Sequence, residues 1–224
     1  MKLISNGCSY TKGVELQNEI NSYPNHVKEN LKFDNLINLA IGGSSNERIY
    51  YETINFLSNN DCENIFVLIG WSGITRKLIW INDMIEDIQI KYVELSSEEV
   101  KKQPNFQRKK ELIEFFVRYN FLENIPTMKE TLEYMIGLKE YLKNKNIRYL
   151  FTLNFSLQRT DNQIIKELYS MLDYNNCFFD LSFNDFVNKN KFIRGPNNHP
   201  LEQAHLEWGK FLSLIIKSKF GEIL

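Results

Sequence analysis

Two residues whose types suit nucleophilic chemistry lie near opposite ends of this sequence. Ser9 follows Gly7 in a turn after a short apolar segment, and such a turn is how α/β folds present a hydroxyl nucleophile at the carboxyl edge of a sheet. The same pattern also suits an ordinary turn that caps a helix. His199 lies in a loop, residues 195–200, directly before a segment with apolar residues at helical spacing.

The elements that must position these residues alternate along the chain. Short apolar segments predict strands at residues 2–5, 36–39, 65–69, 148–153 and 177–181, and periodic segments predict helices at 23–31, 46–57, 127–142 and 163–172. Nearly continuous apolar strands separated by helices predict an α/β fold, with a parallel sheet between two helical layers. Residues 83–126 are too many for a bare connection, so we expect a helical insertion there, either a lid over the site or a cover for the sheet.

Composition and charge exclude several classes of protein. The 224 residues suit one domain, residues 1–224, and 27 basic against 28 acidic residues give a net charge of −1. This balance provides no electrostatic basis for binding nucleic acid or an anionic membrane. The cysteines are odd in number and far apart (Cys8, Cys62 and Cys177), which makes a disulfide framework improbable. Since no signal peptide or transmembrane segment is visible, we expect a soluble protein, cytoplasmic or associated with a virion.

A glycine-rich turn after the second predicted strand offers a site for a negative charge. Gly42 and Gly43 precede Ser44, Ser45 and Asn46, and paired glycines let backbone N–H groups approach an anion closely. The pattern is also typical of a turn with only a structural role.

The order of these blocks resembles the SGNH (GDSL-like) hydrolase family, over nearly the whole chain. The resemblance implies a three-layer α/β/α domain with a five-stranded parallel sheet in the flavodoxin-like order 2-1-3-4-5. It further implies a serine ester hydrolase that works through an acyl-enzyme, without a cofactor or a metal. A short acyl ester on a carbohydrate is a common substrate in the family.

The resemblance assigns a role to each block. Ser9 is then the nucleophile, His199 its general base, and the N–H groups of Ser9 and Gly43 hold the oxyanion. The family's third block, Gly-x-Asn-Asp, falls on residues 70–73, with Ser72 in place of the oxyanion asparagine. The residues expected to bind the oxyanion or the substrate are Gly42, Gly43, Asn46, Trp71, Ser72 and Arg76. Arg76 is near enough in sequence to contact a substrate carboxylate or phosphate.

Two departures from the family pattern need substitutes. Pro196 stands where the family has the aspartate that orients the histidine, so we expect an oxygen of Asn197, Asn198 or Asp180 to accept from the His199 ring. Because Ser72 is shorter than asparagine, either its hydroxyl completes the oxyanion hole more weakly or Asn46 supplies the missing donor from the neighbouring loop. We expect Asn46 to contribute more than Ser72.

The same departures leave two other functions open. One is a non-catalytic module with the SGNH fold, for example a glycan-binding or structural component of a phage particle. The other is an acyltransferase that uses the same residues but excludes water from the acyl-enzyme. The expected partner is a small-molecule or glycan ester, and the sequence does not specify an oligomeric state. His205 lies six residues after His199, which is the wrong spacing for a pair of metal ligands on a helix, so a buried core histidine is favoured.

Overall fold

A five-stranded parallel sheet forms the centre of the protein. The computed structural model describes residues 1–81, 84–89, 107, 110–111, 113–115, 124–157 and 160–221. The described strands are β1 (Lys2–Gly7), β2 (Asn35–Asn38), β3 (Ile65–Trp71), β4 (Arg76–Ile81), β5 (Met84–Gln89), β6 (Arg148–Leu153) and β7 (Cys177–Phe178). All but β4 and β5 belong to the parallel sheet. The sheet has the order β2-β1-β3-β6-β7 with all neighbours parallel. Because β6 and β7 are the fourth and fifth strands of this sheet along the chain, the predicted order 2-1-3-4-5 is confirmed.

Helices cover both faces of this sheet. They are α1 (Ser9–Lys12), α2 (Tyr23–Leu31), α3 (Asn46–Asn59), α4 (Asn124–Asn144), α5 (Gln163–Ser170), α6 (Phe183–Lys189) and α7 (Glu202–Phe220). Every residue of β3 is buried, as a central strand between two helical layers requires. Successive side chains of β3 point to opposite faces of the sheet and belong to two core clusters. Val67 packs in the cluster with α3, α4 and α5, and Phe66 packs in the cluster with α2, α6 and α7.

The described part of the predicted insertion is partly helix and partly strand. Residues 107, 110–111, 113–115 and 124–126 are helical, as expected. Residues 84–89, which we expected within a helical insertion at 83–126, form β5, and β5 pairs with β4 in an antiparallel hairpin. β4, which begins before residue 83, ends in four consecutive apolar residues that include two isoleucines and a tryptophan, a short apolar segment of the kind that favours a strand. Most of the remaining insertion, and with it the predicted lid, lies outside the described residues.

His205 has the structural role that its spacing predicts. It is fully buried on α7, and its Nδ1 accepts a hydrogen bond from the backbone N–H of Tyr23 on α2 at 3.1 Å. Burial lowers the pKa of His205 to about 3, so the ring stays neutral and joins the two helices.

The topology defines where a site can form. From β1 the chain moves outward to β2 and then returns to β3 on the other side of β1. In open α/β sheets such a reversal opens a crevice at the carboxyl ends of the strands. The loops that follow β1, β2, β3 and β6 all meet at this edge, and they carry most of the candidate residues.

None of the helices in the described part of the chain combines the length and the apolar character needed to span a bilayer.

Candidate active site

Ser9 lies where β1 turns into α1, at the carboxyl edge of the sheet. It is the first residue of that single-turn helix and is only 5% exposed. As the first helical residue, it has no intrahelical acceptor for its own N–H. Its hydroxyl makes no hydrogen bond to any described residue, and this includes the His199 ring. The Ser9 hydroxyl and the Ser9 backbone N–H therefore have no hydrogen-bond partner among the described residues.

The His199 ring is held by a carboxylate that sequence reasoning missed. Nδ1 of His199 lies 3.0 Å from Oε2 of Glu15, and the backbone N–H of His199 donates to the same oxygen at 3.1 Å. Both side chains are mostly buried, with 19% exposure for His199 and 12% for Glu15. A carboxylate at Nδ1 keeps the proton on that nitrogen and leaves Nε2 free to accept another.

The second oxygen of Glu15 is also fully used. Oε1 accepts from the backbone N–H of Asn197 at 2.8 Å and from its side-chain amide at 3.0 Å. Partial burial works to raise the pKa of Glu15, but the hydrogen bonds from Asn197 and His199 outweigh it and hold this pKa below its usual value. The carboxylate is therefore ionised at neutral pH.

Gly195 makes room for the carboxylate. A Cβ atom at this position would lie 2.7 Å from Oε2 of Glu15 and 2.8 Å from its Cδ, which is too close for any other residue without a shift. Glu15 itself has a φ of 71°, in the left-handed region that costs a non-glycine residue energy. The loop therefore accepts local strain where it places the carboxylate against His199.

None of the three predicted partners of the His199 ring occupies that place. Asn197 donates to Glu15 instead of accepting from the ring. The backbone oxygen of Asn198 accepts from Arg194 at 2.9 Å, and Asp180 is exposed and makes no hydrogen bond within the described residues. The family pattern directed attention to the residues just before the histidine, whereas the carboxylate comes from a loop 184 positions away.

A second set of contacts ties the histidine loop to the nucleophile turn. Nη1 of Arg194 donates to the Tyr10 hydroxyl at 2.8 Å, and its Nη2 donates to the side chains of Asn184 and Asn188 at 3.0 and 2.8 Å. The Tyr10 and His199 rings are 5.8 Å apart between centroids. Since Tyr10 directly follows Ser9, these contacts bring the two ends of the chain to one place.

The glycine turn after β2 lies beside the nucleophile turn. The N–H of Ile41 donates to the carbonyl of Gly7 at 3.4 Å, and the Asn38 side chain donates to the carbonyl of Thr11 at 3.2 Å. Gly43 has a φ of 86° and is exposed. A side chain there would strain the turn, and the Gly43 N–H makes no hydrogen bond to a described residue.

The loop after β3 contains Ser72, whose backbone is bonded to Asn46. Oδ1 of Asn46 accepts from the Ser72 N–H at 2.7 Å, while Nδ2 donates to the Ser72 carbonyl at 3.1 Å and to Thr131 at 3.2 Å. Because both amide hydrogens have acceptors, Asn46 has none left for an oxyanion. The structure therefore gives Asn46 the task of fixing Ser72, which differs from the predicted one.

Arg76 and Trp71 differ in their access to the site. Nη1 of Arg76 donates to Oγ of fully buried Ser72 at 2.8 Å, which leaves the Ser72 hydroxyl hydrogen available to another acceptor. Trp71, which we expected among the substrate-binding residues, is fully buried and packs against Phe151 with ring centroids 5.4 Å apart. It is a core residue, because the last position of a central strand still faces a helix layer.

Comparison with solved structures defines the class of the fold. A carbohydrate esterase family 2 enzyme with a carbohydrate-binding domain, from Corynascus thermopiles (Myceliophthora fergusii), is 12% identical with a TM-score of 0.55, covering 98% of this chain and 66% of that one. A protein named TesA is 10% identical with a TM-score of 0.52 and full coverage of both chains. The psychrotrophic esterase EstA from Pseudoalteromonas sp., in a structure inhibited by monoethylphosphonate, is 14% identical with a TM-score of 0.51, covering 95% and 96%. The predicted SGNH hydrolase-like fold is confirmed.

A family model places the chain more narrowly. Residues 3–204 match DUF6071, described as a family of unknown function. The chain belongs to this family. No curated protein matches the sequence.

Proposed function

We propose that this protein is a serine ester hydrolase in which Ser9, His199 and Glu15 act as a triad. The observation that carries the proposal is the Glu15 carboxylate on Nδ1 of His199, in a loop that contacts the residue next to Ser9. A carboxylate in this position orients the imidazole and stabilises the imidazolium that forms when the histidine takes a proton.

The reaction follows from these roles. Oγ of Ser9 attacks the acyl carbonyl while Nε2 of His199 takes the hydroxyl proton. The tetrahedral intermediate then expels the alcohol, which receives that proton, and an acyl-enzyme remains. Water attacks the acyl-enzyme by the same route, which releases the acid and regenerates Ser9.

Three donors are available for the oxyanion. They are the uncommitted N–H groups of Ser9 and Gly43 and the hydroxyl of Ser72. Because the Ser72 oxygen accepts from the Arg76 guanidinium, its hydroxyl is a stronger donor than an isolated serine. In this arrangement the Ser72 hydroxyl donates to the oxyanion in place of the asparagine side chain of the SGNH pattern. Arg76 bonds to its oxygen, and Asn46 fixes its backbone.

Two observations favour this function over a decayed binding module. The module hypothesis rested on a missing orienting acid and a missing oxyanion amide. Glu15 stands in for the first and the Ser72–Arg76 pair for the second. Ionised Glu15 in a strained, fully hydrogen-bonded position has a clear purpose in a catalytic triad. An acylated carbohydrate suits the proposal, since one protein with this fold is a carbohydrate esterase.

The test is ester hydrolysis by the protein and matched serine variants. We expect the native protein to hydrolyse 4-nitrophenyl acetate and Ser9→Ala to lose the activity. Ser213→Ala is the control, because Ser213 is also 5% exposed but lies on α7 and bonds to the carbonyl of Gly209. Equal activity in native and Ser9→Ala proteins would remove Ser9 from the mechanism.

A further inference from the structure

One edge of the Arg76 guanidinium makes no hydrogen bond within the described residues at the candidate site. Its Nη1 donates to Ser72 Oγ at 2.8 Å and to the Ser44 carbonyl at 3.4 Å. Its Nε and Nη2 groups donate to none of the described residues. The guanidinium carbon lies 5.7 Å from the centroid of the Phe155 ring, and this contact helps to hold the planar group in one orientation. The free edge is the one that binds a carboxylate through two parallel hydrogen bonds.

Arg76 also lacks a protein carboxylate in the part of the chain that the structure describes. The next residue, Lys77, forms an ion pair with Glu130 on α4, so acidic side chains are available nearby but do not pair with Arg76. A half-buried arginine without a counter-ion keeps a positive charge that an anionic ligand can neutralise.

A second guanidinium adds to the positive charge here. Burial raises the pKa of Tyr10, and the positive charges of Arg194 and Arg76 partly oppose this rise. Arg194 has amide, hydroxyl and carbonyl partners in the described residues, all of them neutral. The neighbourhood of Ser9 therefore contains two guanidinium groups beside the ionised Glu15 carboxylate, in a chain whose net charge is −1.

We propose that the substrate is an ester that carries a carboxylate, and that Arg76 binds this carboxylate through Nε and Nη2. The inference rests on the proposed hydrolase function, because it concerns the selectivity of that same site. Arg76 donates to Ser72, and in the proposed mechanism Ser72 donates to the carbonyl oxygen of the ester. The carboxylate must therefore lie only a few bonds from the ester carbonyl. It belongs either to the acyl group, as in a dicarboxylic half-ester, or to the alcohol, as in an acylated uronic acid.

The first experiment compares charged and neutral esters of the same length. The acyl arm uses 4-nitrophenyl hydrogen glutarate against its methyl ester, and the alcohol arm uses an O-acetylated methyl glucuronoside against its 6-methyl ester. We expect native protein to prefer the anion in one arm, which assigns the carboxylate to that side. Arg76→Met should reduce the ratio of the two kcat/KM values about ten- to a hundredfold. The ratio cancels any effect of Arg76 on Ser72, because both esters need the oxyanion donor.

Two variants serve as comparisons. Arg76→Lys keeps the charge but loses the two-point geometry, so we expect it to restore only part of the preference. Arg148→Met removes an exposed arginine from the amino end of β6, at the opposite edge of the sheet, and should leave the ratio unchanged. A preference for the anion that persists in Arg76→Met, or no preference in either arm, overturns the proposal.

A binding measurement separates this inference from the hydrolase proposal. In the Ser9→Ala variant, calorimetry compares monomethyl glutarate and methyl glucuronoside with their neutral methyl esters. Tighter binding of an anion that Arg76→Met abolishes supports the carboxylate site even if no ester is hydrolysed, an outcome that defeats only the hydrolase proposal. Equal binding of anion and neutral ester defeats the carboxylate site while leaving the hydrolase proposal intact.

Discussion

Replacing Glu15 by glutamine removes one charge and changes almost no volume, so it isolates what the carboxylate does for His199. Each carboxylate oxygen accepts two hydrogen bonds, Oε1 from Asn197 and Oε2 from His199. In glutamine one of these oxygens becomes an NH2 group that faces two donors. Whichever way the amide turns, the backbone N–H of Asn197 or of His199 loses its acceptor.

The two orientations of the amide give the range of the expected effect. If the glutamine oxygen faces His199, the tautomer is kept but the imidazolium loses its stabilising charge. If the NH2 group faces His199, Nδ1 becomes an acceptor and the proton moves to Nε2, the wrong tautomer for a general base. The corresponding change in a serine-protease triad costs about 10⁴-fold in kcat. We expect Glu15→Gln to lower kcat by about 10³- to 10⁴-fold, with KM nearly unchanged because Glu15 does not contact the substrate.

The assay is steady-state hydrolysis of 4-nitrophenyl acetate, with thermal unfolding to check that each variant is folded. Glu19→Gln is the matched control, since Glu19 is an exposed carboxylate in the same region that pairs with Lys12 at 3.7 Å. It should keep native kcat. If Glu15→Gln is folded and as active as Glu19→Gln, while Ser9→Ala is inactive, Glu15 is not the third member of the triad.

Three further predictions follow from the same geometry. Gly195→Ala places a Cβ 2.7 Å from the Glu15 carboxylate, so displacement of that group should lower kcat about a hundredfold; native kcat would show that the loop adjusts at no cost. Ser72→Ala should lower kcat about a hundred- to a thousandfold without lowering the melting temperature, whereas Asn46→Ala should chiefly lower the melting temperature; the reverse pattern would return the oxyanion role to Asn46. Because the pKa of Glu15 is below its ordinary 4.5 in the folded state, its stabilising contribution is complete above that value and is lost as the pH falls through the lowered one. The difference in melting temperature between native protein and Glu15→Gln should therefore shrink as the pH falls below about 4.5 and through the lowered pKa, and a constant difference would contradict the lowered pKa.

The fold was largely predictable because its three inner strands, β1, β3 and β6, are almost entirely buried. An apolar segment such as β3, in which every residue is buried, produces a signal that does not depend on distant contacts. The final sheet strand illustrates the limit. We expected a strand at residues 177–181, but only Cys177–Phe178 pair with β6. The length of an edge strand depends on how many backbone hydrogen bonds it can form with its single neighbouring strand.

The site was predictable only where a residue's role is tied to its place at a strand end. Ser9 and Gly43 are in such places. Glu15 lies in a loop with no motif around it, and its partner is 184 positions away, so only the folded chain brings them together. The prediction that Asn46 donates to the oxyanion was wrong for a related reason. The sequence shows that an amide is near the site but not which acceptors bind its hydrogens.

The central claim is that Ser9 is a nucleophile activated by His199 and Glu15. Incubation with a fluorophosphonate, followed by mass spectrometry of the peptides, tests it most directly, since the reagent forms a stable bond with an activated serine hydroxyl. We predict one label, on Ser9, with labelling that is much slower in His199→Gln and in Glu15→Gln. An unlabelled protein, or a label on Ser9 that forms equally fast in both variants, would contradict the claim.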